Sequence, residues 1–217
     1  GSIQNITLAA ITDNSSGSGS KVNLSVISAG GAITVGGAIS VKGTISLDNT
    51  YQVNGNTSGY INSALTNWNT LATSSIGLTV SAAITGNDGI TIKTVANANN
   101  AAQLGANLTT SSGNITITGT TTTGSGVTNA GLVSVLTANN GEISITGTAT
   151  TTGYGVYLHT NNSISAKSIT VVGSTNTGSY GAYLNAMTIV AGGTNINVTG
   201  TVSTSSNYGI YDTGAIT

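Results

Sequence analysis

One short motif recurs at a nearly constant interval along the second half of the chain. It consists of isoleucine, a polar residue, isoleucine or valine, another residue and then, in the later copies, glycine, as in GNITITG and GEISITG. A fixed interval of this kind, here roughly 25 to 28 residues, is typical of proteins that stack one structural unit on the next. The first isoleucines of successive copies are Ile90, Ile115, Ile143, Ile169 and Ile196.

A second motif, YGVYL and its relatives, keeps step with the first. Its glycines, with those of LGANL and AGLVSVL, form one series: Gly105, Gly131, Gly155, Gly181 and Gly209. A third apolar stretch precedes some Ile-x-Ile copies, at residues 163–165 and 187–189. Alternation of isoleucine and threonine places the apolar side chains on one face of a strand. Stacked coils of three short strands would bury that face, so we predict an all-β fold, a parallel β-solenoid.

The first fifty residues have a shorter rhythm. Ile33, Ile39 and Ile45 are six residues apart, and Val22, Leu24 and Val26 continue the alternation upstream. These strands predict tight coils of roughly 18 to 20 residues, each adding about 4.8 Å to the stack. With the longer coils they give about eight to ten coils in one solenoid segment. We divide it into short coils at 1–50, an excursion at 51–75 and coils of the longer period at 76–217.

Residues 59–74 do not follow either rhythm. Ile61, Leu65, Trp68 and Leu71 recur at helical spacing, so this stretch predicts a short helix or folded loop that leaves the solenoid. It either packs on the solenoid as a flank or plug, or presents a recognition element that includes Tyr60 and Trp68.

Composition excludes several classes of function. Charged residues make up 4 % of the chain, whereas threonine, serine and asparagine are abundant. Four lysines cannot neutralise a nucleic-acid backbone, so no nucleic acid is expected as a partner. No apolar run reaches the roughly 18 residues of a transmembrane helix. The solenoid surface is therefore expected to be wetted by hydroxyls and amides.

The titratable residues do not predict a catalytic or metal site. His159 has no acidic neighbour in sequence, and we expect it on a solvated turn. Stacking would place Asp88 and Glu142 two layers apart, which is too far for a catalytic pair. We therefore predict no enzyme activity, no cofactor and no metal. The five acidic residues are dispersed: Asp13, Asp48, Asp88, Glu142 and Asp212.

Two ladders of like side chains are candidates for recognition. Threonines at 116, 118, 120 and 122 alternate outward, matched by Ser144, Thr146, Thr148 and Thr150, and they either solubilise the surface or form an ice-binding face. The tyrosines either stack between layers and stabilise the rod or present an aromatic strip to a sugar or protein. In a regular strand, one tyrosine of each pair would point inward and one outward. The pairs are Tyr154 and Tyr157, Tyr180 and Tyr183, and Tyr208 and Tyr211.

The repeats GNITITGT, YGVYL and ISAKSITVVG resemble those of filamentous haemagglutinin-like bacterial adhesins, the exoproteins of two-partner secretion. The resemblance covers residues 76–217 and, more loosely, 22–47. It implies a right-handed parallel β-helix, unfolded export through an outer-membrane transporter, and a virulence-related role in adhesion at the bacterial cell surface. It also implies that the chain is an internal segment of a longer protein.

We therefore expect a structural or adhesive segment of a secreted bacterial surface adhesin. It would act as a rigid stalk and contact a host-cell or bacterial surface protein or a glycan. The alternative is an ice- or carbohydrate-binding solenoid that uses the threonine or tyrosine ladder.

Overall fold

The computed structural model describes residues 5–16, 19–28, 31–50, 77–129, 132, 134–159, 162–177, 179–185, 187–204 and 208–216. Within these ranges every regular element is a β-strand, and all pairings between strands are parallel. The parallel β-solenoid predicted from the repeats is therefore confirmed. The excursion at 59–74, with Tyr60 and Trp68, lies outside the described residues. No helix of the described chain is long and apolar enough to cross a membrane.

Each strand pairs with the strand three places further along the chain in the first part of the solenoid, which gives three faces per turn. Face A contains β1 (Ile6–Leu8), β4 (Ile33–Val35), β7 (Leu78–Val80), β10 (Ala102–Leu104), the ends of β12 (Asn114–Thr128) and β13 (Val135–His159), β15 (Tyr180–Asn185) and β17 (Ile210–Asp212).

Face B follows face A in every turn, and face C completes the turn. Face B contains β2 (Ile11–Thr12), β5 (Ile39–Val41), β8 (Ile84–Gly86), β11 (Leu108–Thr110), the start of β13, the starts of β14 (Ser163–Thr175) and β16 (Thr188–Val202), and β18 (Ala215–Ile216). Face C contains β3 (Leu24–Ile27), β6 (Thr44–Asp48), β9 (Gly89–Ala96), the start of β12, the middle of β13 and the later parts of β14 and β16.

The core is a set of vertical ladders of aliphatic side chains. The Ile-x-Ile copies stack in register on face C, where Ile90, Ile115, Ile143, Ile169 and Ile196 follow one another. The six-residue rhythm is also confirmed, because its three isoleucines begin the alternation of one turn on faces A, B and C. Side chains at these positions are almost fully buried between Ile33 and Ile189. Burial of the apolar ladders therefore stabilises the stack along its length.

The solenoid has about six turns, slightly fewer than the eight to ten coils expected, although faces A and B each hold eight described strands when the partly exposed layers at the two ends are counted. On face A six successive inward residues, from Ile33 to Ala182, are fully buried, whereas Ile6 and Ile210 at the two ends are partly exposed. The expectation was too high because the first turn is not short. Ile6 pairs with Ile33, so this turn is as long as those near the other end of the chain, and residues 1–50 hold two layers.

The proposed alignment of LGANL with YGVYL is wrong. Leu108 pairs with Leu136 on face B, whereas Leu158 pairs with Leu184 on face A. The register instead places Ala101 and Gly126 at the level of Gly155, because Ala102, Val127 and Val156 form one ladder. Gly-x-x-Leu occurs on two different faces, and sequence similarity merged them into one series.

Two kinds of residue hold the turns between faces. Asparagine side chains continue the strand pairing, since Oδ1 of Asn107 accepts from the Val135 amide (3.0 Å) and Oδ1 of Asn114 from the Glu142 amide (2.9 Å). Between faces C and A the chain forms a loop whose two legs meet at a pair of glycines, which we call the glycine neck. A methyl group on the first glycine of each pair would overlap the carbonyl oxygen of the second: Gly119 and Gly126, Gly147 and Gly155, Gly173 and Gly181, Gly200 and Gly209.

Candidate functional site

Six tyrosines lie together on the outside of face A, beside the glycine necks, and we call them the tyrosine face. Strand β13 supplies Tyr154 and Tyr157, and β15 supplies Tyr180 and Tyr183. Tyr211 belongs to β17, and Tyr208 lies two residues before that strand. Register pairing sets Tyr154 beside Tyr180, and Tyr157 beside Tyr183 and then Tyr211. Backbone pairing therefore fixes the position of these rings before any contact between the rings is considered.

Three of the four contacts between successive rings of a ladder are stacked, and the fourth, between Tyr157 and Tyr183, is tilted by 33°. The centroids of Tyr180 and Tyr208 are 6.3 Å apart with an interplanar angle of 11°, and those of Tyr183 and Tyr211 are 4.8 Å apart at 8°. Tyr154 and Tyr180 stack at 6.0 Å and 17°. Offset or tilted aromatic pairs at these distances stabilise beyond the area they bury. The stacking interpretation of the tyrosines is confirmed.

The two ladders also touch each other, which contradicts the expectation that one tyrosine of each pair points inward. The rings of Tyr154 and Tyr157 have centroids 4.4 Å apart, and both side chains are half-buried on the outer surface. Alternation fails because Gly155 and Val156 are consecutive buried residues at the glycine neck. The chain bends there, so residues 154 and 157 do not belong to one straight strand.

Partial burial suppresses ionisation of the two central rings. Desolvation raises the pKa of the Tyr157 hydroxyl above the ordinary 10.0, and neighbouring Tyr154 and Tyr183 raise it further. Desolvation likewise raises the pKa of Tyr183, with Tyr211 as the next cause. The hydroxyls of both residues are therefore neutral at physiological pH and can both donate and accept hydrogen bonds.

Stacking decides what the tyrosine face offers to a partner. Since rings in one ladder cover each other's faces, the ladders present ring edges and hydroxyl groups outward. Tyr208 differs, because its side chain is 68 % exposed. His159 extends the surface in the first of these layers, with its ring centroid 4.8 Å from that of Tyr157. This histidine lies at the end of β13 and not on a turn as expected.

The threonine ladders lie on face C in two outward ranks. The first rank contains Ser46, Thr91, Thr116, Ser144, Thr170 and Asn197. The second contains Asp48, Lys93, Thr118, Thr146, Val172 and Thr199. The ranks are straight, but hydroxyl groups occupy both positions of a layer in only some layers.

The acidic residues do not converge. Asp88 forms an ion pair with Lys21 at 2.7 Å, and the Lys21 side chain is 60 % exposed. Glu142 lies two layers further along face C, since Gly89 pairs with Asn114 and the Asn114 side chain bonds the Glu142 amide. In the part of the chain that the structure describes, no three His, Asp or Glu side chains are grouped as metal ligands would be.

Sequence reasoning missed a notch at the corner between faces B and C. Three residues separate Ala138 from Glu142 and three separate Ala191 from Asn195, but Lys167 alone separates Ala166 from Ser168 in the layer between them. A short turn between two longer ones leaves a recess of about 360 Å³. The signal was present in the unequal spacing of LTANNGEI, ISAKSI and IVAGGTNI.

Comparison with known proteins adds no match to this description. No family model matches the chain, and neither curated proteins nor solved structures give a significant match.

Proposed function

We propose that this chain is a structural and adhesive segment of a secreted bacterial surface protein. Its solenoid acts as a rigid stalk, and its tyrosine face contacts a host-cell or bacterial surface protein or a glycan. The observation that carries the proposal is the outward tyrosine face on an otherwise uniform stack of parallel coils. The resemblance of the repeats to filamentous haemagglutinin-like adhesins supports a place at the cell surface, reached through an outer-membrane transporter.

The stack of coils suits a stalk. Each layer pairs with its neighbours through backbone hydrogen bonds on three faces, and the ladder of buried aliphatic residues continues through the layers. A structure in which each repeat contacts its neighbours lengthens by about 4.8 Å per coil without a change of design. Such a rod places a binding surface at a fixed distance from its point of attachment.

The tyrosine face suits contact with an uncharged partner. Tyrosine is enriched at protein interfaces because it combines a large apolar ring with a polar hydroxyl. The chain has four lysines and five acidic residues, so long-range electrostatic steering contributes little to association. Binding therefore depends on short-range contacts with hydroxyls and ring edges, which sugars and polar protein surfaces both provide.

Carbohydrate binding in isolation, as in a lectin, is the second candidate function. It is favoured by Tyr208, whose exposed ring can stack against a sugar. An ice-binding version would use face C, where Lys93, Val172 and Asn197 interrupt the ranks of hydroxyls. Face C therefore supports that version less well than the tyrosine face supports sugar binding.

The test is binding of the whole chain to cultured host cells, bacterial cells and a glycan array. Replacing Tyr154, Tyr180 and Tyr208 with phenylalanine keeps the stacked rings and removes three hydroxyls. Since each hydrogen bond contributes about 0.5 to 1.5 kcal/mol, the triple variant is expected to weaken binding by at least about tenfold. The matched control replaces Thr116 and Thr146 with valine, which removes hydroxyls from face C, and it is expected to bind like the unaltered chain.

Two outcomes would overturn the assignment. Absence of binding to every cell type and glycan would remove the adhesive function and leave a stalk. Equal losses from the tyrosine and threonine variants would show that the tyrosine face is not the contact surface. A further variant without residues 59–74 separates the two predicted surfaces, since equal binding would show that this segment, with Tyr60 and Trp68, recognises nothing.

A further inference from the structure

We propose that the notch between faces B and C is a second binding site, specific for a carboxylate-bearing sugar residue. The site is on a different corner of the turn from the tyrosine face and uses different residues. It therefore goes beyond the proposed function, and either can fail without the other. Its lining combines a cation, an amide and small apolar groups: Ala138, Asn139, Ala166, Lys167, Val190 and Gly192.

Shape is the first argument for this site. The recess arises because the one-residue turn at Lys167 lies between two three-residue turns, so the protein backbone itself forms both walls. Asn140, in one wall, is held by a 2.9 Å hydrogen bond from Nδ2 to the carbonyl oxygen of Ser111 in the next layer. A volume of about 360 Å³ lies at the lower end of the range found for small-molecule sites. One monosaccharide unit fits this space better than a longer ligand.

Charge is the second argument. Lys167 is the single charged residue in the lining, and it forms no ion pair within the described part of the chain. Its stem packs beside Gly193, where an added Cβ would lie 3.0 Å from Cγ of Lys167. Lys167 is exposed and lines the recess. An ammonium group in this position favours an anionic ligand over a neutral one.

The remaining groups favour a sugar acid over a simple anion. The amide of Asn139 can donate to and accept from ring hydroxyls. Val190, which is 39 % exposed, offers a small apolar contact to the C–H face of a pyranose ring. A small inorganic anion would use the charge of Lys167 alone and leave these contacts unused.

The experiment is a titration of the whole chain with methyl glucuronide, followed by NMR chemical shifts. Methyl glucoside supplies the same ring without the charge, and acetate supplies the charge without the ring. Methyl glucuronide is expected to bind at least about fivefold more tightly than either, with shifts at residues around Lys167 and weaker binding at high salt. Equal affinity for acetate and methyl glucuronide would overturn the proposal, as would shifts centred elsewhere.

Two variants test the site without disturbing the core. Lys167→Gln is expected to raise the Kd about two- to fivefold, whereas Lys93→Gln, which removes the same charge from an exposed position on face C, should leave it unchanged. Gly192→Val adds bulk to the lining of the recess without a clash, because no atom lies within 4 Å of a Cβ placed there. It is expected to weaken binding of methyl glucuronide, with Gly19→Val, at a similarly open position, as its control.

Removing the charge of Glu142 is expected to strengthen binding, whereas removing that of Lys167 is expected to weaken it. This residue pairs in register with Ser168, next to Lys167, so its negative charge opposes an anionic ligand. Glu142→Gln is therefore expected to tighten binding of methyl glucuronide and leave that of methyl glucoside unchanged. No change with this variant, together with no change in Lys167→Gln, would show that charge does not select the ligand and would refute the site.

Discussion

Replacing Gly147 with alanine is expected to destabilise the solenoid by about 2 to 3 kcal/mol, although alanine normally suits a strand better than glycine. The reason is the glycine neck. A methyl group at Gly147 would overlap the carbonyl oxygen of Gly155 and lie 2.6 Å from the carbonyl carbon of that residue. It would also lie 2.9 Å from Cγ2 of Val156, so the clash involves both backbone and core.

The magnitude follows from how far the two legs of the loop must separate. Ordinary van der Waals contact begins at about 3.4 Å, so the carbonyl carbon must move by about 0.8 Å, and the nearer carbonyl oxygen must move further. Gly147 is paired on both sides with Gly119 and Gly173, and these glycines form necks of their own. One layer therefore cannot widen without straining its neighbours, and overpacking of this kind typically costs about 1 to 3 kcal/mol.

The assay is equilibrium unfolding in guanidinium chloride, with Gly192→Ala as the matched control. A Cβ at Gly192 meets no atom within 4 Å, so this variant should be neutral or gain a few tenths of a kcal/mol from the loss of unfolded-state entropy. Gly155→Ala should also destabilise the solenoid, but through a different clash, because a methyl group at Gly155 would lie 2.6 Å from the carbonyl carbon of Gly173 in the next layer. Wild-type stability of Gly147→Ala would refute the reasoning.

Four further predictions concern the core, the turns and the titratable groups. Ile145→Ala, at a fully buried position, should lower the free energy of unfolding by about 3 kcal/mol, whereas a loss below about 1 kcal/mol would argue against a close-packed ladder. Asn49→Ala should cost about 2 kcal/mol in the same assay, because buried Asn49 accepts from the Val95 amide at 2.8 Å and donates to the carbonyl oxygens of Val95 and Gly77. The free energy of unfolding should fall as the pH rises past 10, because tyrosines in the unfolded chain lose protons before Tyr157 and Tyr183 do in the folded protein. Replacing both tyrosines with phenylalanine should flatten the plot of stability against pH in this range. Asp13 should titrate by NMR with a pKa of about 2, because Ser15 and the Lys42 amide donate hydrogen bonds to its carboxylate. Its contribution to stability should be lost as the pH falls from about 4 towards 2. An ordinary pKa near 3.8 would contradict these hydrogen bonds.

The sequence specified the fold through its periodicity. The alternation in ITI and ISI fixes which side chains are buried in each strand, and the recurrence of these motifs at a nearly constant interval fixes that like strands stack. A one-residue slip would expose every isoleucine of a strand, so the register on face C follows from the pattern alone. Ile33, Ile39 and Ile45 show the same logic within one turn, since each begins the buried positions of a different face.

The sequence pattern did not predict the lengths of the turns or the contacts that they make. The first turn runs from Ile6 to Ile33 on face A although the strands that follow Ile33 are six residues apart, because a turn between strands can lengthen without disturbing the buried ladder. The same freedom gives the notch at Lys167 its unequal walls. The length of a turn leaves no mark in the pattern of buried residues, so its effect on the surface is known only once neighbouring layers are placed side by side.

The tyrosines show what the sequence determined and what only the tertiary structure decided. Their recurrence in YGVYL, YGAYL and YGIYD by itself determined that they form ladders, because residues one period apart must stack when the coils pair in register. Only the tertiary structure placed both ladders on the outside and in contact. The glycine between them is pressed against the backbone of the opposite leg at the neck, and that contact bends the chain out of strand alternation.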